Sequence, residues 1–256
     1  MFIENNKICS LNIQDLMTEK IIALKLNKFI SQEISEILSE KILGKGFKKY
    51  INAPDIGRIG MAFYEAENEP GKMQLYFDSA RDNIDDLRER CSPYISPVDI
   101  LRCILDEVWP AGANLENLYG KKMFVGLSRV IKPGVTFLAH HDIFAKDAPD
   151  NFRAWSLQTQ IAANIYLAMP EEGGELYIWN KEISPEAFDE MRRESYGIAL
   201  ALLGNPDVVI RPSPGDLILF NSRRMHAVSP GSSGIRLSLS CFIGYRGMAE
   251  PLSFWS

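Results

Sequence analysis

The sequence predicts a mainly β protein with flanking helices, its core a double-stranded β-helix, or jelly-roll, of two packed antiparallel sheets. Three observations carry this. From Lys122 onward, β-branched and apolar runs recur at 123–130, 135–142, 159–169, 175–180, 208–212, 217–221 and 235–245, separated by glycine and proline turns. Ahead of that point the apolar residues follow helical spacing. The chain has 256 residues, 46% of them hydrophobic, enough for one domain, 1–256, with a substantial core.

The apolar run 21–26 leads into a helix with Ser31 as N-cap, in which Ile34, Ile37, Leu38 and Ile42 share a face and Gly44 ends the element. Ser96 and Pro97 open a second helix, proline being tolerated in a first turn. Its stripe of Ile100, Leu101, Ile104 and Val108 should buttress the sheet from outside. Residues 1–121 therefore read as a helical and strand buttress, and 122–245 as the jelly-roll core. The strand rhythm breaks once, at a helical insert spanning 184–204 with Ser184 as N-cap. An excursion of this length between barrel strands suits a mobile lid. The apolar Ile198, Leu200, Leu202 and Leu203 suit a helix packed permanently on the outer sheet equally well.

A net charge of −5 and a pI near 5.4 argue against a general nucleic-acid surface, and the basic patch around Lys45 to Lys49 reads as a solvated loop. No run approaches the ~18 apolar residues of a membrane span, and the start lacks a basic segment followed by a long apolar one. The expectation is a cytoplasmic protein with no membrane or nucleic-acid partner; oligomeric state is left open. Cys9, Cys91, Cys103 and Cys241 are widely spaced without a CxxC pair, so they read as reduced thiols.

All three histidines fall in two short stretches, His140-His141-Asp142 and Arg224-Met-His226. Strand alternation sends His140 and Asp142 to one face and His141 to the other, which makes His141 a supporting or surface residue. Two imidazoles and a carboxylate on one face suit non-haem Fe(II), with positions left for an oxidant. Ten residues after His226, Arg236 begins an alternating segment in which Arg236, Ser238 and Ser240 share one face and Leu237, Leu239 and Cys241 the other. A buried arginine needs a partner. A small dicarboxylate supplies one through bidentate pairing, with the Ser238 hydroxyl adding a hydrogen bond; an acidic residue of the same chain is the plainer alternative.

This set, His140-x-Asp142, a distal His226 and Arg236-x-Ser238, resembles the Fe(II)/2-oxoglutarate-dependent oxygenase superfamily, whose members share a cupin-like jelly-roll. The hairpin at 169–180 and the chain's size resemble the carrier-independent hydroxylase and halogenase group acting on free small molecules. The resemblance implies Fe(II) held by His140, Asp142 and His226, and 2-oxoglutarate held by Arg236 and Ser238. It further implies O₂ as the second co-substrate and a small-molecule substrate of amino-acid type, hydroxylated at an unactivated C–H. Halogenating members lack the carboxylate that Asp142 provides here, which favours hydroxylation; desaturation or cyclisation stays open. Asn164 and Tyr166, on one face of the 159–169 strand, and the aromatic Trp179 are candidates for touching substrate. Two readings from other classes remain: a zinc hydrolase using the same three ligands, and a catalytically silent jelly-roll binding module.

Overall fold

The computed structural model describes residues 1–49 and 56–256. Among these residues, two antiparallel-rich sheets face each other. The larger is centred on the pairing of Thr159–Ala168 with Arg236–Tyr245, from Thr159 opposite Tyr245 to Ala168 opposite Leu237, with one slip after Tyr166. Leu217–Asn221 flanks the first of these strands and Leu127–Ile131 the second. The smaller sheet runs in the order Val208–Ile210, Leu176–Ile178, His226–Val228, Phe137–His140. This is the jelly-roll anticipated from the strand rhythm, with the strand ends trimmed. One difference matters: His226, which lies outside the strand runs 217–221 and 235–245 read from the sequence, opens a short strand of its own.

The front of the chain does more than buttress. Ala23–Leu26 pairs with Leu217–Asn221, Phe2–Asn5 adds beside it in parallel, and Ile56–Ile59 pairs with Leu127–Ile131, so the large sheet is completed by N-terminal strands. Helix Gln32–Gly44 begins as expected, with the Ser31 hydroxyl accepting the Ile34 N–H at 3.2 Å, and packs on Thr159–Ala168. Helix Pro97–Val108 packs on Arg236–Tyr245, but its deepest residues are Val98, Leu101 and Leu105. The expected Ile100, Ile104 and Val108 lie half-buried at the margin, because the helix is rotated by about one position about its axis. The longest helix, Pro70–Cys91, was not read from the sequence: its buried stripe of Tyr76, Ala80, Ile84, Leu87 and Cys91 is diluted by charged residues. The four cysteines are free, with Cys91 and Cys241 in the core. No helix among the described residues is long and apolar enough to cross a membrane.

Where the large sheet ends, Glu116 is fully buried between two arginines. It accepts from Arg153 Nε and Arg246 Nη2, each at 2.6 Å, and Arg246 also reaches Ser253 Oγ at 2.9 Å. Burial would raise the Glu116 carboxyl, but the Arg153 hydrogen bond and the Arg246 charge outweigh it and hold the group below its ordinary 4.5. A depressed carboxylate stabilises the fold above its unfolded pKa and loses that contribution as pH falls through the folded value. Glu116→Gln should therefore cost about 3–5 kcal/mol near neutral pH. The deficit should shrink at about pH 3. Urea unfolding of both proteins at the two pH values checks this; a deficit that stays constant would assign the effect to packing alone.

Candidate metal centre and flanking cavities

The register of the small sheet builds the centre. His226 stands directly opposite His140 across the antiparallel pair, and their ring centroids are 4.2 Å apart. Each Nδ1 meets a backbone carbonyl two residues earlier in the chain, Leu138 O at 2.8 Å for His140 and Arg224 O at 2.9 Å for His226. A carbonyl accepts only, so each Nδ1 carries the proton and each Nε2 keeps its lone pair for a ligand. The strand ends at His140, two residues earlier than the sequence suggested. Asp142 follows in the loop, tied by its N–H to Ser222 O at 2.8 Å, and its Oδ2 lies 3.4 Å from His226 Nε2. One ligand atom from each of His140, Asp142 and His226 lies within 4.8 Å of the others.

The electrostatics favour cation binding. Burial, reinforced by the neighbouring His226, pushes His140 down to about 3, so it is neutral. Burial alone would raise Asp142, but the two imidazoles beside it, His226 foremost, bring it to about 2, so it is ionised. Two imidazole nitrogens and one carboxylate form the facial set that suits a divalent first-row metal.

Between the two sheets a narrow cavity runs from His140 and His226 to Arg236. Arg236 is 5% exposed, and among the described residues no carboxylate pairs with it. Its guanidinium lies 4.9 Å from the centre of the Tyr166 ring, and Nη2 donates to the Tyr166 hydroxyl at 3.3 Å. Its Nε, the Ser238 hydroxyl and Asn164 Oδ1 are buried without hydrogen-bond partners. Buried polar atoms are seldom left unsatisfied, and this group has the shape of a carboxylate-binding site. Asn164 thus lines the cavity and Tyr166 contacts the guanidinium, both beside Arg236 at the anion end. Arg129, opposite Ser238 in the strand pairing, lines the same cavity and was missed in the sequence, although a charged residue in the apolar run 127–131 is the same signal that drew attention to Arg236.

A second cavity of about 360 Å³ opens in front of His140 and Asp142. Part of its wall comes from the insert. Helix Pro185–Arg192 brings Phe188 against His141, with ring centroids 4.4 Å apart, and Ile198 exchanges both backbone hydrogen bonds with Ala139. Gly197 permits this approach, since a Cβ there would sit 2.8 Å from Ala139 O. His141 does not turn to the surface. It is 8% exposed, lines the cavity, and has no partner for either ring nitrogen; burial, partly offset by Asp142, takes it down to about 4.

Trp179 does not face either cavity. Its neighbour Ile178 is the residue opposite His226, so alternation sends Trp179 to the outer side. There it packs with Ile183, Phe188, Ile198 and Met225, and its indole N–H donates to Gly204 O at 3.0 Å.

The model of the 2OG-Fe(II) oxygenase superfamily matches residues 125–244. The L-gamma-glutamyl-L-propargylglycine hydroxylase of Streptantibioticus cattleyicolor is 33% identical over 162 residues, 62% of this chain and 59% of that protein. The L-isoleucine 3(1)-dioxygenase of Pantoea ananatis is 32% identical over 138 residues, 49% of this chain and 44% of the relative. The chain thus spans less than two thirds of the length of either. Among solved structures, an N-substituted L-amino acid dioxygenase from Burkholderia ambifaria shares the fold at a TM-score of 0.65 and 19% identity, over 96% of this chain and 91% of that one. Its complex with alpha-KG gives 0.66. The ligand register, the anion cavity and the match over 125–244 converge: in these residues the chain is similar to the 2OG-Fe(II) oxygenase superfamily.

Proposed function

We propose that this chain is a 2-oxoglutarate-dependent dioxygenase that hydroxylates an unactivated C–H bond of a small amino-acid-type metabolite. The observation that carries this is the cavity that runs from His140 and His226, two members of the His140, Asp142 and His226 ligand set, to a buried arginine with which no carboxylate among the described residues pairs. The names of the relatives support an amino-acid-type substrate. A zinc hydrolase would use the same three ligands but leaves Arg236, Ser238 and Asn164 without a role, and a silent binding module leaves the paired tautomers of the two histidines unexplained.

Each residue has a definable task. His140, Asp142 and His226 would hold Fe(II), their orientation set by the Leu138 and Arg224 carbonyls and the Ser222 contact. Arg236, with Ser238 and Asn164 close by, would take the distal carboxylate of 2-oxoglutarate, and Tyr166 keeps the guanidinium aimed along the cavity. Bound iron, 2-oxoglutarate and O₂ together supply the oxidising power for C–H hydroxylation. Phe137, Phe188 and Tyr196 wall the front cavity, positioning the substrate and keeping bulk water away.

His140→Ala and His226→Ala should each abolish Fe(II) binding and 2-oxoglutarate turnover, whereas His141→Ala should retain the metal. Anaerobic titration with Fe(II) and 2-oxoglutarate, followed by the visible charge-transfer absorption, reads this directly, and metal loss from the His141 variant equal to that from the others would mean that the wrong histidine has been assigned.

Arg236→Ala should keep iron but raise KM for 2-oxoglutarate roughly 30-fold or more, the equivalent of about 2–5 kcal/mol for a buried charge-assisted pair. Steady-state kinetics at varied 2-oxoglutarate tests it; an unaltered KM moves the anion site elsewhere.

For the insert, Ile198 should exchange its amide proton slowly because it is paired with Ala139, while the helix Pro185–Arg192 should exchange faster and become protected on substrate binding. Slow exchange throughout 184–204, indifferent to substrate, would make the insert a permanent wall.

A further inference from the structure

The front cavity is lined by several charged side chains, and nearly all are already engaged. Lys146 donates to Asp189 at 2.9 and 3.0 Å, Arg192 is held by the same carboxylate at 2.7 Å and by Ser195 O at 2.8 Å, and the exposed Glu67 pairs with Lys72 at 2.8 Å. Asp142 belongs to the metal centre. Asp147, the last residue of the one-turn helix Phe144–Asp147, is the exception. It lines the cavity, and among the described residues nothing hydrogen-bonds to its carboxyl or forms an ion pair with it. On the same wall, His141 is more than nine-tenths buried with both ring nitrogens unpartnered. A small-molecule pocket is mostly apolar with a few convergent polar groups that fix the ligand's orientation. Among the described residues that line the cavity, Asp147 and His141 are the two titratable groups without a hydrogen bond or ion pair.

We infer that Asp147 is the counter-ion for a protonated amino group of the substrate and that His141 hydrogen-bonds the same molecule, so that the enzyme selects substrates with a free ammonium over their N-acylated counterparts. This rests on the reading that the cavity before the three metal ligands receives the substrate. An ammonium directs up to three N–H donors and a full positive charge at an acceptor, matching a carboxylate that has neither hydrogen bond nor cation of its own. An N-acyl group offers one amide N–H and no charge, and an N-succinyl group would bring a second carboxylate against Asp147. Burial, with the nearby Asp142 adding to it, pushes the Asp147 carboxyl up to about 8, the behaviour of an acid waiting for a cation. The substrates named for the relatives differ on this point, one being the free amino acid isoleucine and another class N-substituted amino acids, so Asp147 would place this chain on the free-amine side.

The test uses the Fe(II)-loaded chain with 2-oxoglutarate and a panel of the L-amino acids, their γ-glutamyl derivatives, which keep an ammonium, and their N-acetyl and N-succinyl derivatives. Succinate formation should be stimulated by amine-bearing members only. For the best of them, Asp147→Asn should raise substrate KM roughly 30-fold or more, leaving KM for 2-oxoglutarate and the anaerobic charge-transfer absorption as in the wild type. Asp147→Glu should recover part of the loss, and His141→Ala should raise the same KM to a smaller degree. A merely structural role for Asp147 would instead alter the absorption, or lower kcat without this split. N-acetyl or N-succinyl members turned over as well as those that carry an ammonium, an Asp147→Asn variant with unchanged substrate KM, or an absorption that forms while no amine stimulates turnover would each overturn the assignment of Asp147. Failure of the wild-type absorption to form at all would instead remove the oxygenase reading on which it rests.

Discussion

The register that sets His226 opposite His140 is the constraint from which the rest of the site follows. A slip of one residue in that short pairing would turn one imidazole out of the barrel, since successive side chains on a strand point to opposite faces. Only two strands of three and four residues hold this register directly. Its security comes from their neighbours: Leu176–Ile178 pairs along the other edge of His226–Val228, and Ile198 of the insert pairs with Ala139. The insert therefore steadies one metal-ligand strand as well as walling the cavity.

Under the proposed function, Arg236 is a binding residue maintained at the expense of the empty fold. A guanidinium buried without a carboxylate is destabilising, and the Tyr166 ring and hydroxyl offset part of that cost without neutralising the charge. Burial lowers the proton affinity of Arg236 most; Tyr166 raises it, while Arg129 on the adjacent strand adds to the positive potential and lowers it further. Contrast Glu116, equally buried but between two arginines of its own chain. One network closes on itself and serves the fold; the other stays open, as the proposed anion site requires.

The grouping of the candidate metal ligands was legible in the sequence because their chemistry is local. His140-x-Asp142 and Arg236-x-Ser238 are read from strand alternation alone, and that reasoning survives even though Asp142 lies just beyond the strand end. The strand rhythm from 123 to 245 was legible for the same reason. What could not be read depends on contacts between distant segments. Helix Pro70–Cys91 hides because its buried residues are scattered among charges, and the rotation of helix Pro97–Val108 is decided by the sheet beneath it. His141 was assigned outward by correct alternation, but the outward side of that strand is covered by Phe188 from the insert, so outward means into a cavity wall. Trp179 failed as a candidate for substrate contact by the same geometry, on the outer face of its strand.

The front cavity also has a mechanical link to the insert. Lys146 and Asp147 are adjacent on one short helix; Lys146 reaches across to Asp189 on the insert helix, and Asp189 in turn holds Arg192. These groups are substantially exposed, so the pairs are screened and individually weak. The firmer contact is apolar, Phe188 against His141 with Lys146 over the same ring at 5.4 Å. Loosening either displaces the two residues that face the cavity without partners, since one lies under Phe188 and the other is the chain neighbour of Lys146. Whatever occupies the cavity at Asp147 and His141 is thereby coupled to the position of Pro185–Arg192, and through Ile198 and Ala139 to the strand that carries His140.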